Sequence, residues 1–139
     1  MLTQYFLTIN TAGRGMINVT EKLNEFIRTA NVGTGLLHVF VKHTSASILI
    51  CEKADPLVLS DLEIFMQRVA PDNDPDYQHD DEGPDDMPSH VRTMLTQSFL
   101  MLPITDNQLN LGYWQGIYLW EHRVKGRERH LVVTVQSAS

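Results

Sequence analysis

The sequence is poor in cysteine, because Cys51 is the only one in 139 residues and no internal disulfide can form. Its first ten residues, MLTQYFLTIN, lack the basic region and the apolar run of a secretory signal. Its unbroken apolar runs, such as ILIC at 48–51, are far shorter than the roughly 20 residues of a membrane-spanning helix. These absences predict a cytoplasmic protein that has no membrane partner.

Basic patches are also absent. The chain carries a formal charge of −6, but residues 72–86 hold eight of its 17 acids and no Lys or Arg, which leaves +2 for the rest. The densest basic stretch, HRVKGRERH at 122–130, is short and typical of a turn between strands. Without a basic stripe and interleaved aromatics, nucleic acid is not expected as a partner.

The apolar periodicity predicts one α+β domain over residues 1–139, built on an antiparallel sheet with a few helices. Strands are predicted at 4–10, 36–52, 99–104, 116–123 and 129–136. The stretch 36–52 forms either two antiparallel strands or one bent strand, and the last two strands form a hairpin through VKGRE. Helices are predicted at 18–30, after the Asp55-Pro56 start signal, and at 87–98.

The second and third helices are each expected to bury one apolar face. The residues expected to face inward are Val58, Leu62, Phe65, Met66 and Val69 on the second, and Val91, Met94, Leu95 and Ser98 on the third.

The segment HDDEGPDDMPSH, residues 79–90, is the most unusual part of the chain. Runs of acids are usually solvated faces. Gly83-Pro84 and Pro88 nevertheless restrict the backbone here, which favours a fixed wall of a site over a floppy loop.

Strand alternation places His43 where an apolar face ends, and His122 beside Tyr118 and Trp120 on one strand face. For His122 and its neighbour Glu121, the alternative is an exposed strand end. His90 lies near a helix start, where the positive helix end favours a neutral ring able to bind metal or accept a proton.

Asp85 and Asp86 oppose that effect on His90, and one of the two is expected only to cap the helix. No HExxH, CxxC, P-loop or GxSxG pattern is present. The mixture of histidine and carboxylate suits a divalent metal ion or a phosphate ester, and composition leaves the choice between Mg²⁺ and Zn²⁺ open.

Several motifs in order carry a family resemblance: HTSAS at 43–47, Glu52 with ADP at 54–56, HDDEGPDDMPSH, GYWQGIYLWEHR at 112–123 and VVTVQ at 132–136. They closely resemble the YjbQ family, also called the secondary thiamine-phosphate synthase family. The resemblance implies a bifurcated antiparallel sheet, a homotrimer, and thiamine phosphate synthesis as a secondary activity on small phosphorylated metabolites.

Carried over by residue, the resemblance implies a catalytic set and a ligand set for a divalent ion. The catalytic candidates are His43, Ser45, Glu52, His79, Glu82, His90, Gln115 and Glu121. The metal-ligand candidates are His43, Asp85, His90 and His122. Two alternatives stay open beside the transferase: a metal-dependent hydrolase, and a trimeric module that binds a metabolite without turning it over.

Overall fold

Six of the eight strands in the described part of the chain and all three of its helices form close to the predicted positions, whereas the strands at Gly15–Asn18 and Gln108–Leu109 were not predicted. The computed structural model describes residues 1–138. The strands are β1 (Leu2–Asn10), β2 (Gly15–Asn18), β3 (Gly35–Val41), β4 (Ala46–Glu52), β5 (Phe99–Thr105), β6 (Gln108–Leu109), β7 (Gln115–Glu121) and β8 (Glu128–Ser137). The helices are α1 (Thr20–Ala30), α2 (Pro56–Val69) and α3 (Asp86–Leu95).

The strands divide into two antiparallel sheets. The five-stranded sheet has the order β1-β8-β3-β5-β6, and the three-stranded sheet has the order β2-β7-β4. Leu37 and Val133 of the larger sheet pack in one buried cluster with Leu23 and Ile27 of α1 and with Ile117 of β7. This arrangement confirms the predicted α+β class with a divided antiparallel sheet.

The predicted hairpin through VKGRE is wrong. β7 pairs with β2 and β4, whereas β8 pairs with β1 and β3, so residues 122–127 carry the chain from one sheet to the other. The stretch 36–52 does form two strands, but β3 and β4 also belong to different sheets. Both connections look like hairpins in sequence because alternation reveals which face of a strand is buried and not which strand lies beside it.

Helix α2 begins as predicted. Asp55 Oδ1 accepts a hydrogen bond from the Leu57 N–H at 2.9 Å, and Pro56 occupies the first helical position. Met66 is buried, but Phe65 and Val69 are 59% and 47% exposed, so the predicted inward stripe is wrong at those two positions. None of the described helices is long and apolar enough to cross a membrane.

The predicted inward face of α3 is also wrong. Met94 and Leu95 are 74% and 52% exposed, whereas Ser89 and Arg92 are fully buried. Polar bonds set this orientation, since Arg92 Nη1 donates to Glu63 Oε2 at 2.7 Å and Ser89 Oγ donates to the His122 carbonyl at 2.9 Å. The helix ends at residue 95, three residues earlier than predicted.

Candidate functional site

Three side chains converge where the acidic loop enters α3. His79 Nε2 lies 2.8 Å from Asp86 Oδ2, and His90 Nε2 lies 3.5 Å from Asp86 Oδ1. One ligand atom from each residue falls within 4.8 Å of the other two, and no other such group occurs within residues 1–138. Two imidazoles and a carboxylate form a donor set that suits divalent transition ions.

The imidazole of His90 is held in one tautomer. Its Nδ1 lies 2.9 Å from the carbonyl oxygen of Thr44, which can only accept, so Nδ1 carries a proton. In the neutral ring Nε2 is then a bare acceptor that faces the Asp86 carboxylate. Two acceptors in this relation need a proton or a cation between them, and a carbonyl behind the imidazole is the usual support of a metal-binding histidine.

A buried arginine supports the carboxylate. Arg123 donates through Nη1 to Asp86 Oδ1 at 2.9 Å, through Nε to Asp85 Oδ2 at 3.0 Å, and through Nη2 to the Glu82 carbonyl at 2.8 Å. Burial raises the pKa of Asp85, but hydrogen bonds from the Val124 N–H and from Arg123 outweigh it and leave that pKa below its ordinary value.

The capping role predicted for one of these aspartates is wrong for Asp85, which occupies the N-cap position without a side-chain capping bond. Asp86 begins the helix and is bonded to Arg123 and His79 instead. His90 therefore lies in the second turn of α3, four residues after Asp86 and on the same helix face.

His122 lies apart from this cluster. It is completely buried, and its Nε2 lies 2.8 Å from Ser47 Oγ, while its Nδ1 has no hydrogen-bond partner within residues 1–138. Burial, with Arg92, Arg14 and Arg129 nearby, lowers the pKa of His122 to about 3. The ring is therefore neutral, and the exposed strand end considered from the sequence is wrong for His122.

Glu121 is equally buried and pairs with Arg129 through two hydrogen bonds, one of them 2.8 Å from Arg129 Nε to Glu121 Oε1. Thr11 Oγ1 also donates to this carboxylate at 2.7 Å. Burial opposes ionisation, but Arg129 and Thr11 hold the pKa of Glu121 below its ordinary value. Arg129 reaches further and donates to Ser45 Oγ at 2.9 Å, so this ion pair orients the predicted catalytic Ser45.

His43 lies on the wall of a cavity of about 650 Å³ together with Lys42, Ser45 and Arg129. Its Nε2 accepts a hydrogen bond from the His130 N–H at 2.7 Å. The lone pair of this nitrogen is therefore not free to bind a metal ion. Partial burial and the charge of Arg129 lower the pKa of His43.

Glu52 and Gln115 lie elsewhere. They pair with each other at one end of the three-stranded sheet, and Ala46 pairs with Glu121 at the other end. Six residues of extended strand correspond to about 20 Å. Within one chain, therefore, the structure does not bring Glu52 and Gln115 to the cluster.

The predicted metal ligands His43, Asp85, His90 and His122 do not assemble, and only His90 belongs to the cluster. His43 and His122 are bonded elsewhere through Nε2, and Asp85 is turned towards Arg123. The sequence interpretation chose Asp85 where the structure places Asp86. The spacing of Asp86 and His90, four residues apart at a helix start, is the signal that would have corrected this choice.

The acidic segment has a solvated part and a buried, fixed part, the two possibilities that the sequence raises. Asp85 and Asp86 are buried, whereas Asp80, Asp81 and Glu82 are exposed. A cavity of about 330 Å³ opens beside His79 and is lined by the loop itself and the start of α3. Of these exposed acids, Asp80 lines the cavity.

The sequence of this chain matches a known protein family over nearly its whole length. The family model described as UPF0047 protein YjbQ-like matches residues 5–138. The UPF0047 protein YjbQ of Escherichia coli O157:H7 is 42% identical over 98% of this chain and 99% of its own length. A UPF0047 protein of Synechocystis is 45% identical over 95% of this chain and 90% of its own length.

Solved structures superimpose closely as well. A conserved hypothetical protein from Thermus thermophilus is 31% identical, with a TM-score of 0.85 and coverage of 95% of this chain and 99% of that one. A protein of the YjbQ/UPF0047 family from Clostridium acetobutylicum, also 31% identical, has a TM-score of 0.82 over 96% of this chain and 99% of that one. The chain belongs to the YjbQ-like UPF0047 family.

Proposed function

We propose that this chain is a divalent-metal-dependent enzyme acting on phosphorylated metabolites, with thiamine phosphate synthesis as the first reaction to test. The observation that carries the proposal is the convergence of His79, Asp86 and His90 beside a cavity. The thiamine reaction itself comes from the motif resemblance.

The donor set fits a metal ion. Two imidazole nitrogens favour Zn²⁺, Mn²⁺ or a similar ion over Mg²⁺, which prefers oxygen ligands. A divalent ion held here would neutralise the charge that grows on a diphosphate leaving group. Thr44 orients the imidazole of His90, and Arg123 holds Asp86 in place.

The proposed reaction needs no nucleophile from the protein. The C–O bond of a pyrimidine-methyl diphosphate breaks, diphosphate leaves with the bonding electrons, and the nitrogen of a thiazole phosphate forms the new C–N bond. The chain would bind and orient the two substrates and exclude water from the carbocation. Glu82 is exposed and His90 is partly exposed, so both side chains are accessible to substrates from solvent.

A metal-dependent hydrolase is the second candidate. It is favoured by the number of protein ligands, since three ligands with a free position are typical of catalytic zinc. Glu52 and Glu121, two of the predicted catalytic residues, are unsuitable as its general base within one chain. Glu121 is buried and forms an ion pair with Arg129. Glu52 accepts a hydrogen bond from the Asp55 N–H at the end of β4 that is far from the cluster.

A homotrimer is part of the proposal. The apolar side chains of Phe65, Met94 and Met101 are more than half exposed, as an interface would require. A second copy would also be needed to bring Glu52 and Gln115 to the cluster. Sedimentation velocity should give three times the chain mass of 15.8 kDa, and a monomer would refute this part.

Diphosphate release is the test of the function. The chelator-treated protein is supplied with Zn²⁺, Mn²⁺ or Mg²⁺ and with the pyrimidine and thiazole substrates, separately and together. The transferase releases diphosphate only when metal and both substrates are present. Release of phosphate or diphosphate from a single substrate indicates the hydrolase, and tight binding without any release contradicts both enzymatic candidates and leaves the binding module.

A further inference from the structure

The cavity that contains His43 has no acid on its wall. Its volume is about 650 Å³, and among residues 1–138 its charged wall residues are Lys42 and Arg129, with no Asp or Glu. The cavity beside His79, by contrast, has two aspartates on its wall. The wall around His43 therefore offers positive charge and hydrogen-bond donors rather than ligands for a cation.

Arg129 brings one unpaired nitrogen to this cavity. Its side chain is only 3% exposed, and its Nε and Nη2 are bonded to Glu121 and Ser45. Its Nη1 has no hydrogen-bond partner among residues 1–138, yet it is not one of the unpaired atoms that the protein encloses. Nη1 is thus the nitrogen of Arg129 that can be reached from the cavity. Because buried donors are almost always satisfied, an open one on a cavity wall indicates a ligand that accepts hydrogen bonds.

His43 supplies a second free donor. Its Nε2 accepts a hydrogen bond from the His130 N–H at 2.7 Å, so in the neutral ring the proton lies on Nδ1. Partial burial and the charge of Arg129 lower the pKa of His43, which keeps the ring neutral at neutral pH. Within residues 1–138 this Nδ1–H group has no hydrogen-bond partner, and it is available to an acceptor bound beside it.

Lys42 gives the wall its net positive charge. It is exposed and forms no ion pair within residues 1–138. Arg129 is neutralised by Glu121, which is completely buried and does not line the cavity. The cavity therefore combines one uncompensated cation with free donors from two further side chains.

Thr44 joins this cavity to the metal-binding cluster. It lines the cavity, and its carbonyl oxygen lies 2.9 Å from His90 Nδ1. The wall of the cavity and the cluster are therefore in direct contact at Thr44, although none of the three cluster residues lines the cavity.

We propose that this cavity binds the oxyanion of a small organic molecule, a phosphate or a carboxylate, through Arg129, His43 and Lys42. Arg129 Nη1 and His43 Nδ1 would donate to its oxygens, and Lys42 would add a point charge. Phe40, which is 41% exposed on the same wall, offers apolar surface to the organic part. The assignment deepens the proposed function, on which it rests only in taking the oxyanion to belong to the substrate.

Titration of the chelator-treated full chain, followed by nuclear magnetic resonance, tests the proposal. The probes are inorganic phosphate and acetate at low ionic strength and about pH 7.5, where the His43 ring is neutral. The amide signals of residues 42–45 should shift with one or both probes, and the stronger binder identifies the oxyanion.

Two substitutions on the wall measure the contribution of each donor. His43→Phe keeps an aromatic ring without a donor and should weaken binding by about 10–100-fold, the effect of losing a hydrogen bond to a charged group. Lys42→Gln should weaken it by only about 2–5-fold, because the exposed ammonium acts through solvent. Arg129 is left in place, since its loss would leave Glu121 buried without its partner.

Two further variants serve as controls. Lys22→Gln removes a cation from the exposed side of α1, and His79→Ala removes a cluster residue; neither should change anion binding. Absence of binding by both probes, unchanged binding in both His43→Phe and Lys42→Gln, or a loss confined to His79→Ala would each overturn the proposal. Oxyanion binding here without diphosphate release would refute the enzyme and keep this site, whereas diphosphate release without oxyanion binding here would do the reverse.

Discussion

Replacing His90 with alanine is expected to weaken Zn²⁺ binding by more than about 100-fold, because loss of a supporting outer-shell partner alone typically weakens it by 10–100-fold. Turnover should fall by at least about 10²–10³, as for removal of one preorganised electrostatic group. The measurement is Zn²⁺ titration against a competing chelator, followed by the diphosphate-release assay at saturating metal.

The matched control is His38→Ala. His38 is a half-buried histidine of β3 stacked on Phe99, remote from the cluster, so its removal should leave zinc binding unchanged. Asp86→Asn should reproduce the defect of His90→Ala with little change in side-chain size. Wild-type zinc affinity in both His90→Ala and Asp86→Asn would refute the ligand assignment.

The second large effect is loss of stability in mild acid through His122. Its pKa is lowered by burial from 6.5 to about 3 in the folded protein, so below pH 6.5 the unfolded chain binds a proton that the folded chain does not. The stabilisation is complete above pH 6.5 and is lost as the pH falls towards 3. The loss amounts to about 1.4 kcal/mol per pH unit and to on the order of 5 kcal/mol in all.

Urea unfolding between about pH 5.5 and 7.5 measures the onset of this effect, because at these pH values Asp and Glu side chains of ordinary or lowered pKa are ionised in both the folded and the unfolded chain. His122→Gln should be less stable at neutral pH but should lose the share of the slope that His122 contributes. His43→Gln should reduce the slope less, because the pKa of His43 is lowered by burial that is only partial. An identical slope in wild type and His122→Gln would show that His122 is charged in the folded protein.

Local features of the fold were predictable from the sequence. The start of α2 could be placed because Asp55 and Pro56 act through bonds within one turn. The partition of strands between two sheets could not be predicted, because β7 is buried along most of its length by contacts from β2, β4 and α1, which are distant in sequence. The sequence of such a strand shows the same apolar pattern whichever strand it pairs with.

The candidate site was likewise predictable only where its features are local in sequence. His79, His90 and the rigid loop were visible as a motif, and the four-residue spacing of Asp86 and His90 is local. Arg123 and Arg129 looked like surface charges in a basic turn, yet both are buried and hold carboxylates. The role of Arg123 depends on residues 37 or 38 positions away and on a crossing between sheets, which no local pattern encodes.

The most direct measurement of the central claim is an anomalous-difference map, collected at the zinc edge, from crystals grown with Zn²⁺. The proposal predicts one strong peak about 2.0–2.2 Å from a nitrogen of His79, an oxygen of Asp86 and Nε2 of His90. A map without a peak there, or with its strongest peak at His43 or His122, would contradict the claim that these three residues form the metal site.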